Sequence, residues 1–580
     1  MKKRTLRALA LVLSMSLLGA SLSGCGSTQT EAAETEESAA KEDEETSEET
    51  EESSENTEET VEETESEEEV SEETESEAEE EAVSYFYEAA DVELNGTLSE
   101  ELYYTAVEYL PKETFRYQIY VSEYYEEGME AALLVQLDMF MPEQCAVMEE
   151  LVAAGEAPAF IAIALYPGTL EATSEDGYDR YMRSEEFDEV TTDFSNFLVE
   201  ELIPEALSQV DVTLSDDPDM HMITGGSSGG IAAWKCCWFR NDYFHKTFMA
   251  SPSFHSLAGG AEFLEYLSKC EPREIRAYLT WGGYEYTGYQ GSNWEVGTSV
   301  LRMLDYNGYE YEYEYFEDEG HCYGIVDMDV ERNVLEFMWA DYETDEVSIV
   351  SYNSSVSTYV EYGSEWEEID ASEMPESIAA STDLGTYVAE EGTIYLESED
   401  GTRTEVATGF KDISDLAISS DLWRLYITDY DDRYVYVMSI LEDGSLEDVR
   451  EVAPLQIIGT SDIYGGKSIC VDTEDHKYVA TDIGIQIMST SVNCVLTLPE
   501  DLPVDEVVMV GNKLYARSGD RCFVRDTVCT GREEGADVTV PAESTEYVTE
   551  TESMFYWDMS NFLSQHPFVV YENEKETAGE

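Results

Sequence analysis

Residues 223–235 read ITGGSSGGIAAWK, two serines among four glycines between an apolar run and a helix-like run. Gly226-Ser227-Ser228-Gly229-Gly230 matches G-x-S-x-G, follows the apolar segment MHMITG and precedes IAAWKCCWF. This is the strand–turn–helix setting in which a serine is held on a strained turn with its hydroxyl exposed. Ser228, the central residue, is the expected nucleophile. A serine attacks a carbonyl only when a histidine takes its proton, and that histidine needs a carboxylate to fix its tautomer and stabilise its charge. In this setting the chain order is serine, acid, histidine. His245 and His255 come too early for that order, His476 and His566 lie beyond the region, and His221 sits inside a strand as a packed residue. His321, in the glycine-bearing loop FEDEGHCYG after the last strand, is the expected base. The loop GGYEYTGYQGSNW holds one carboxylate, Glu285, which takes the orienting role; Glu317, Asp318 and Glu319 near His321 are the alternative acids.

Six short apolar or β-rich runs must position these groups: AALLVQL (131–137), AFIAIAL (159–165), MHMITG (220–225), HKTFMAS (245–251), IRAYLTW (275–281) and YEYEYF (311–316). Helix-length segments separate them, among them 194–207. The alternation predicts a mostly parallel α/β sheet covered by helices, with its site at the carboxyl ends of the strands.

The rest of the chain bounds where such a site works. Lys2, Lys3, Arg4 and Arg7 precede an apolar stretch from Leu9 to Leu18, and Leu22-Ser23-Gly24-Cys25 follows. This layout resembles a bacterial lipoprotein signal over 1–25, which implies lipidation of Cys25 and anchoring to the outer face of a bacterial cell membrane. Residues 26–83 form an acidic linker. Between Glu31 and Ala82 there are 28 acidic residues and one lysine, a net of −27, too polar to fold. Setting that and the leader's +4 aside from the chain's −100 leaves −77 on the remainder. Nucleic acid is thereby excluded as a partner, and a neutral or cationic substrate is expected. The nine cysteines after Cys25 form no C-x-x-C pair, so neither a zinc ribbon nor a thioredoxin-like site is indicated.

Over 116–338 the chain resembles the esterase branch of the α/β-hydrolases that contains enterochelin, feruloyl and acetylxylan esterases and mycolyltransferases. The segments LLVQLD, YPGTLEATSEDGYDRYMRSEEFD, FLVEELIPEA, ITGGSSGG, GSNWEV and EDEGHCYG carry the likeness. It implies an α/β-hydrolase domain over 84–345, with Ser228 as nucleophile, Glu285 as acid and His321 as base. The oxyanion hole it implies is the N–H of Gly229 with that of Met139 or Phe140, and Arg183 and Trp294 are the expected substrate contacts. Two positions depart from the family: Glu285 stands where aspartate is common, and Met139 where a glycine usually follows the aspartate.

The region 346–532 has a different grammar. Four segments repeat an apolar run, a polar turn and an aromatic strand, marked by Tyr387, Tyr426, Tyr478 and Tyr515 at spacings of 39, 52 and 37 residues. Through LYITDYDDRYVYVMSILEDGSL, VDTEDHKYVATDIGIQIM and KLYARSGDRCFVRDTV it resembles the gluconolactonase and senescence-marker type of β-propeller, here an all-β, propeller-like domain shortened to about four blades. Ser414 and Lys467 stand at that family's metal-ligand positions. A lysine repels a divalent ion, so neither metal nor lactonase activity is expected. Residues 533–580 are an acidic linker and tail.

These readings point to an anchored serine esterase, without cofactor, acting on acylated carbohydrates or small acyl esters. The same constellation also suits a binding lipoprotein with a retired hydrolase domain, or an acyltransferase of the same fold.

Overall fold

The computed structural model describes residues 92–532, apart from 175–176, 256–257, 289–290, 345, 350–354, 362, 458–464 and 490–491. Cys25, the leader, the acidic linker and the tail from 533 lie outside the described residues. Eight strands form the backbone of the first region: β1 (Thr97–Leu98), β2 (Glu113–Val121), β3 (Glu130–Leu137), β4 (Phe160–Leu170), β5 (His221–Gly226), β6 (Lys246–Ala250), β7 (Arg276–Tyr284) and β8 (Glu310–Gly320). They lie in the order β1-β2-β4-β3-β5-β6-β7-β8. From β3 to β8 every pairing is parallel, while β2 runs antiparallel to both β1 and β4.

The inner strands read as continuous apolar runs because both faces are covered. Seven of the eight residues of β3 are buried, as are all five of β6. Helices α1 (Pro142–Ala154), α2 (Ser228–Phe239), α3 (Glu262–Lys269), α4 (Asn293–Asn307) and α5 (Met328–Trp339) supply the cover, with Trp234, Trp238, Trp281 and Trp339 fully buried. Local signals set the helix ends. Ser292 caps α4 by accepting the Glu295 N–H, and Gly308 closes it in the left-handed conformation at φ 77°. Asp327 caps α5 through the N–H groups of Asp329 and Val330. The helix expected over 194–207 is present over 193–208, but its middle, Phe197–Leu202, is π-helical. Pro204 lies two residues on; it offers no N–H to the preceding turn, and the ladder widens there.

The second region is four separate four-stranded antiparallel sheets. The repeated segments contribute three strands to each. The remaining strands are Arg403–Thr408, Leu446–Pro454 and Val492–Leu496 in the first three, and in the fourth Glu367–Ile369, which pairs with Arg521–Asp526 from the far end of the region.

Among the described residues, two ion pairs tie the regions together. Arg273, after α3, donates to both oxygens of Asp501 at 2.8 and 2.5 Å and lies 4.4 Å over the Trp238 ring. Arg525 donates to both oxygens of Glu271 at 2.6 and 2.7 Å. Removing one partner of a buried pair strands the other charge. Asp501→Ala is therefore expected to lower the unfolding free energy by about 3–5 kcal/mol in denaturant titration. A loss below about 1 kcal/mol, the scale of a surface pair, would mean that Arg273 is solvated instead.

Candidate active site

The tight turn between β5 and α2 is the centre of the site. Ser227 has φ 56° and ψ −120°, a conformation in which few non-glycine residues persist without support from their surroundings. Its N–H donates to Ala250 O at 2.8 Å, and its carbonyl accepts from Ser253 N at 3.1 Å. The flanking glycines admit this geometry: a Cβ on Gly225 would lie 2.1 Å from Gly229 O. Ser227 Oγ is 3.4 Å from Ser253 Oγ.

The structure thus puts Ser227, and not Ser228, on the elbow. Ser228 is the first residue of α2, 5% exposed. Its side chain lies beside the buried Asp188 carboxylate, whose oxygens have no partner at hydrogen-bonding distance and angle. Burial pushes Asp188 up to about 6, against the opposing pull of Ser228, Arg183 and Lys235. The N–H that follows the elbow residue accordingly belongs to Ser228 rather than Gly229.

His321 and Glu285 come together from the ends of neighbouring strands. Glu285 directly follows β7, His321 directly follows β8, and His321 Nδ1 is 2.6 Å from Glu285 Oε2. Glu285, with a side chain 3% exposed, is held by three further donors. Its Oε1 accepts from the Ser251 hydroxyl and from Gly282 N at 3.2 Å, and its Oε2 accepts from Asn293 Nδ2 at 3.1 Å. Burial alone would raise the Glu285 pKa; the bonds to His321, Ser251 and Gly282 outweigh it and hold the carboxyl below its ordinary range. Burial likewise works against a charged His321, but the adjoining Cys322 sulfur and Glu285 hold the imidazole well above its ordinary value. The loop carrying His321 packs on the elbow: a Cβ on Gly226 would lie 3.1 Å from Cys322 Sγ. Cys322 is itself left-handed at φ 63°, with its N–H on Ser251 Oγ at 2.8 Å.

Ser251 and Asn293 were not among the residues picked out by sequence reasoning. Asn293 opens α4 and bridges Ser251 O, at 3.0 Å, to Glu285. Neither lies at a motif spacing from the acid, and only the tertiary fold joins them. His255, 5% exposed, stacks on Tyr286 with ring centres 6.0 Å apart. Its pKa is held down by burial and by His321.

The other expected residues fall as follows. Asp138, at the end of β3, is left-handed at φ 74°. Arg183 grips it with two bonds, Nε to Oδ1 at 2.6 Å and Nη2 to Oδ2 at 2.7 Å, so its guanidinium braces this turn. The Phe140 N–H points to Tyr166 Oη at 3.4 Å, whereas the Met139 N–H has no partner among the described residues. Trp294 packs against Trp281 at 5.6 Å and Tyr315 at 4.4 Å. In the second region the Lys467 ammonium sits between Asp482, at 2.5 Å, and Asp505, at 3.0 Å, and Ser414 bonds Thr428 and Gly466. A resident cation on those carboxylates does not fit a divalent ion at that place.

No family model and no curated protein matches the chain. Among solved structures, an enterochelin esterase from Shigella flexneri aligns at 18% identity and a TM-score of 0.33, over 44% of this chain and 61% of the other. This chain thus spans about three fifths of that enzyme's length. A ferulic acid esterase aligns at 15% identity and 0.33, over 43% of this chain and 99% of its own. The siderophore hydrolase EstB from Aspergillus nidulans aligns at 14% and 0.32, over 44% and 99%.

Proposed function

We propose that the chain is a serine carboxylic-ester hydrolase in which Ser227 is the nucleophile, His321 the general base and Glu285 the orienting acid. The observation that carries this is the left-handed Ser227 on the elbow, packed against the loop whose histidine is bound to a buried, four-donor carboxylate. Ser227 Oγ attacks the ester carbonyl as His321 takes its proton. The oxyanion is met by the N–H groups of Ser228 and Met139, each worth roughly 3 kcal/mol in such sites. The alcohol leaves with the proton from His321, and water then hydrolyses the acyl-serine by the same transfers in reverse order. Arg183 acts by holding Asp138, and with it the Met139 N–H, in place.

Acylated carbohydrates or small acyl esters are the proposed substrates, because the −77 on the chain beyond leader and linker disfavours anionic ones. The lipoprotein-like leader over 1–25 is the support for an exported enzyme anchored through Cys25 to the outer face of a bacterial membrane. The four sheets of the second region serve as a shortened propeller that braces the hydrolase through Arg273 and Arg525.

Hydrolysis of acetylated and feruloylated sugars by the purified protein tests the proposal; product without an added alcohol acceptor is the expected result, and transfer only to an acceptor would make it an acyltransferase. The pH profile carries a sign. His321 acts only when neutral, and its pKa is raised, so activity rises with pH through a limb above the ordinary imidazole value of about 6.5. A limb centred below about 6 would contradict the Glu285 pairing.

A further inference from the structure

In the β-rich region, apart from the residues of the proposed esterase site, lies a second cluster of reactive side chains. Asp472 and His476 lie on the turn between the strands Ser468–Val471 and Lys477–Thr481, and Cys529 lies beyond the last strand, Arg521–Asp526. One ligand atom from each, a carboxylate oxygen, an imidazole nitrogen and the sulfur, lie within 4.8 Å of one another. We propose that Asp472, His476 and Cys529 bind one Zn2+ ion that fastens the end of the β-rich region to its third sheet.

The donor set selects the metal. Calcium and magnesium take oxygen ligands, whereas a thiolate with an imidazole and a carboxylate suits zinc. Bond lengths of 2.0 to 2.3 Å place the ligand atoms of tetrahedral zinc roughly 3.3–3.8 Å apart. The His476 Nδ1 to Asp472 Oδ2 separation of 2.8 Å must open slightly and the widest separation must close, changes within side-chain reach. The carboxylate is already aimed and fully buried: its Oδ1 accepts the N–H groups of Glu474 and His476, and the Tyr478 hydroxyl donates to its Oδ2 at 3.1 Å. These contacts are the outer support that a metal ligand needs. The His476 ring packs edge-on to Tyr359 at 5.1 Å and remains 17% exposed, which leaves an entry path and a fourth position for water.

The location gives the ion a task. The last described residues meet the third sheet through the Asp472–Gly531 bridge and the bond from Thr473 N to Thr530 O, and they meet the entering chain through Val528 N to Tyr359 O. Cys529 Sγ lies 3.8 Å from Thr358 O at this junction. An ion here would clamp the last segment of the region to the turn that carries Asp472 and His476. This place is distinct from that of Ser414 and Lys467.

The test is zinc content and cobalt spectroscopy on the purified protein, with Cys529→Ser and His476→Ala beside it. One equivalent of zinc retained after desalting, lost at least tenfold in both variants, is the expected result. Cobalt in its place is expected to show a sulfur-to-metal charge-transfer band that Cys529→Ser removes. Independently of any effect of the substitutions on folding, wild-type protein with and without zinc is treated with iodoacetamide; zinc is expected to protect Cys529 in peptide mapping. Equal zinc in wild type and Cys529→Ser, or a Cys529 alkylated equally with and without zinc, overturns the proposal and leaves a hydrogen-bonded thiol, imidazole and carboxylate.

Discussion

Ser227→Ala lowers kcat/KM for ester hydrolysis by roughly 10^4- to 10^6-fold, whereas Ser228→Ala keeps it within about tenfold. The contrast follows from two adjacent residues with different backbones. Ser227 carries the left-handed turn, so its removal deletes the proposed nucleophile. Ser228 begins α2 with its side chain at Asp188, and truncation costs at most one modest polar contact, about 1 kcal/mol. Its backbone N–H, the proposed oxyanion donor, survives the substitution. Steady-state kinetics on a soluble ester separates the two; the opposite ranking would return the nucleophile to Ser228.

Glu285→Gln is expected to lower kcat by roughly 10^3- to 10^4-fold with KM little changed. The carboxylate accepts from His321 Nδ1, the Ser251 hydroxyl, Gly282 N and Asn293 Nδ2. An amide keeps the shape but offers two N–H donors where only donors face it. It therefore favours the His321 tautomer whose other nitrogen is protonated and cannot accept the Ser227 proton. The charge that stabilises the imidazolium is lost as well, so the acid limb of the pH profile should move down. A decrease below tenfold would shift the orienting role to the acidic run Glu317, Asp318 and Glu319.

Much of this was legible in the chain. Strands β3 to β7 follow from apolar runs that both faces bury, the edge strand β8 from its tyrosine-rich alternation, and the order of acid and histidine after the elbow from the topology. The register of the elbow was not. GGSSGG fits G-x-S-x-G centred on either serine, and the choice depends on where β5 ends: at Gly226, which makes Ser227 the turn residue. Backbone conformation, not residue type, decides it. Ser251 and Asn293 support the acid across gaps of 34 and 8 residues and belong to no periodic pattern. The pairing of Arg183 with Asp138 was hidden as well, by a separation of 45 residues. In the β-rich region the strand from Glu367 to Ile369 joins a sheet formed at the far end of that region, a long-range pairing that hairpin signals cannot reveal. The cluster of Asp472, His476 and Cys529 escaped for the same reason.

The measurement that bears most directly on the central claim is labelling with a fluorophosphonate probe, followed by peptide fragmentation to locate the adduct between adjacent serines. The predicted result is a single adduct on Ser227, absent from His321→Ala. An adduct on Ser228, or none on folded wild-type protein, would contradict the assignment of Ser227 as a working nucleophile.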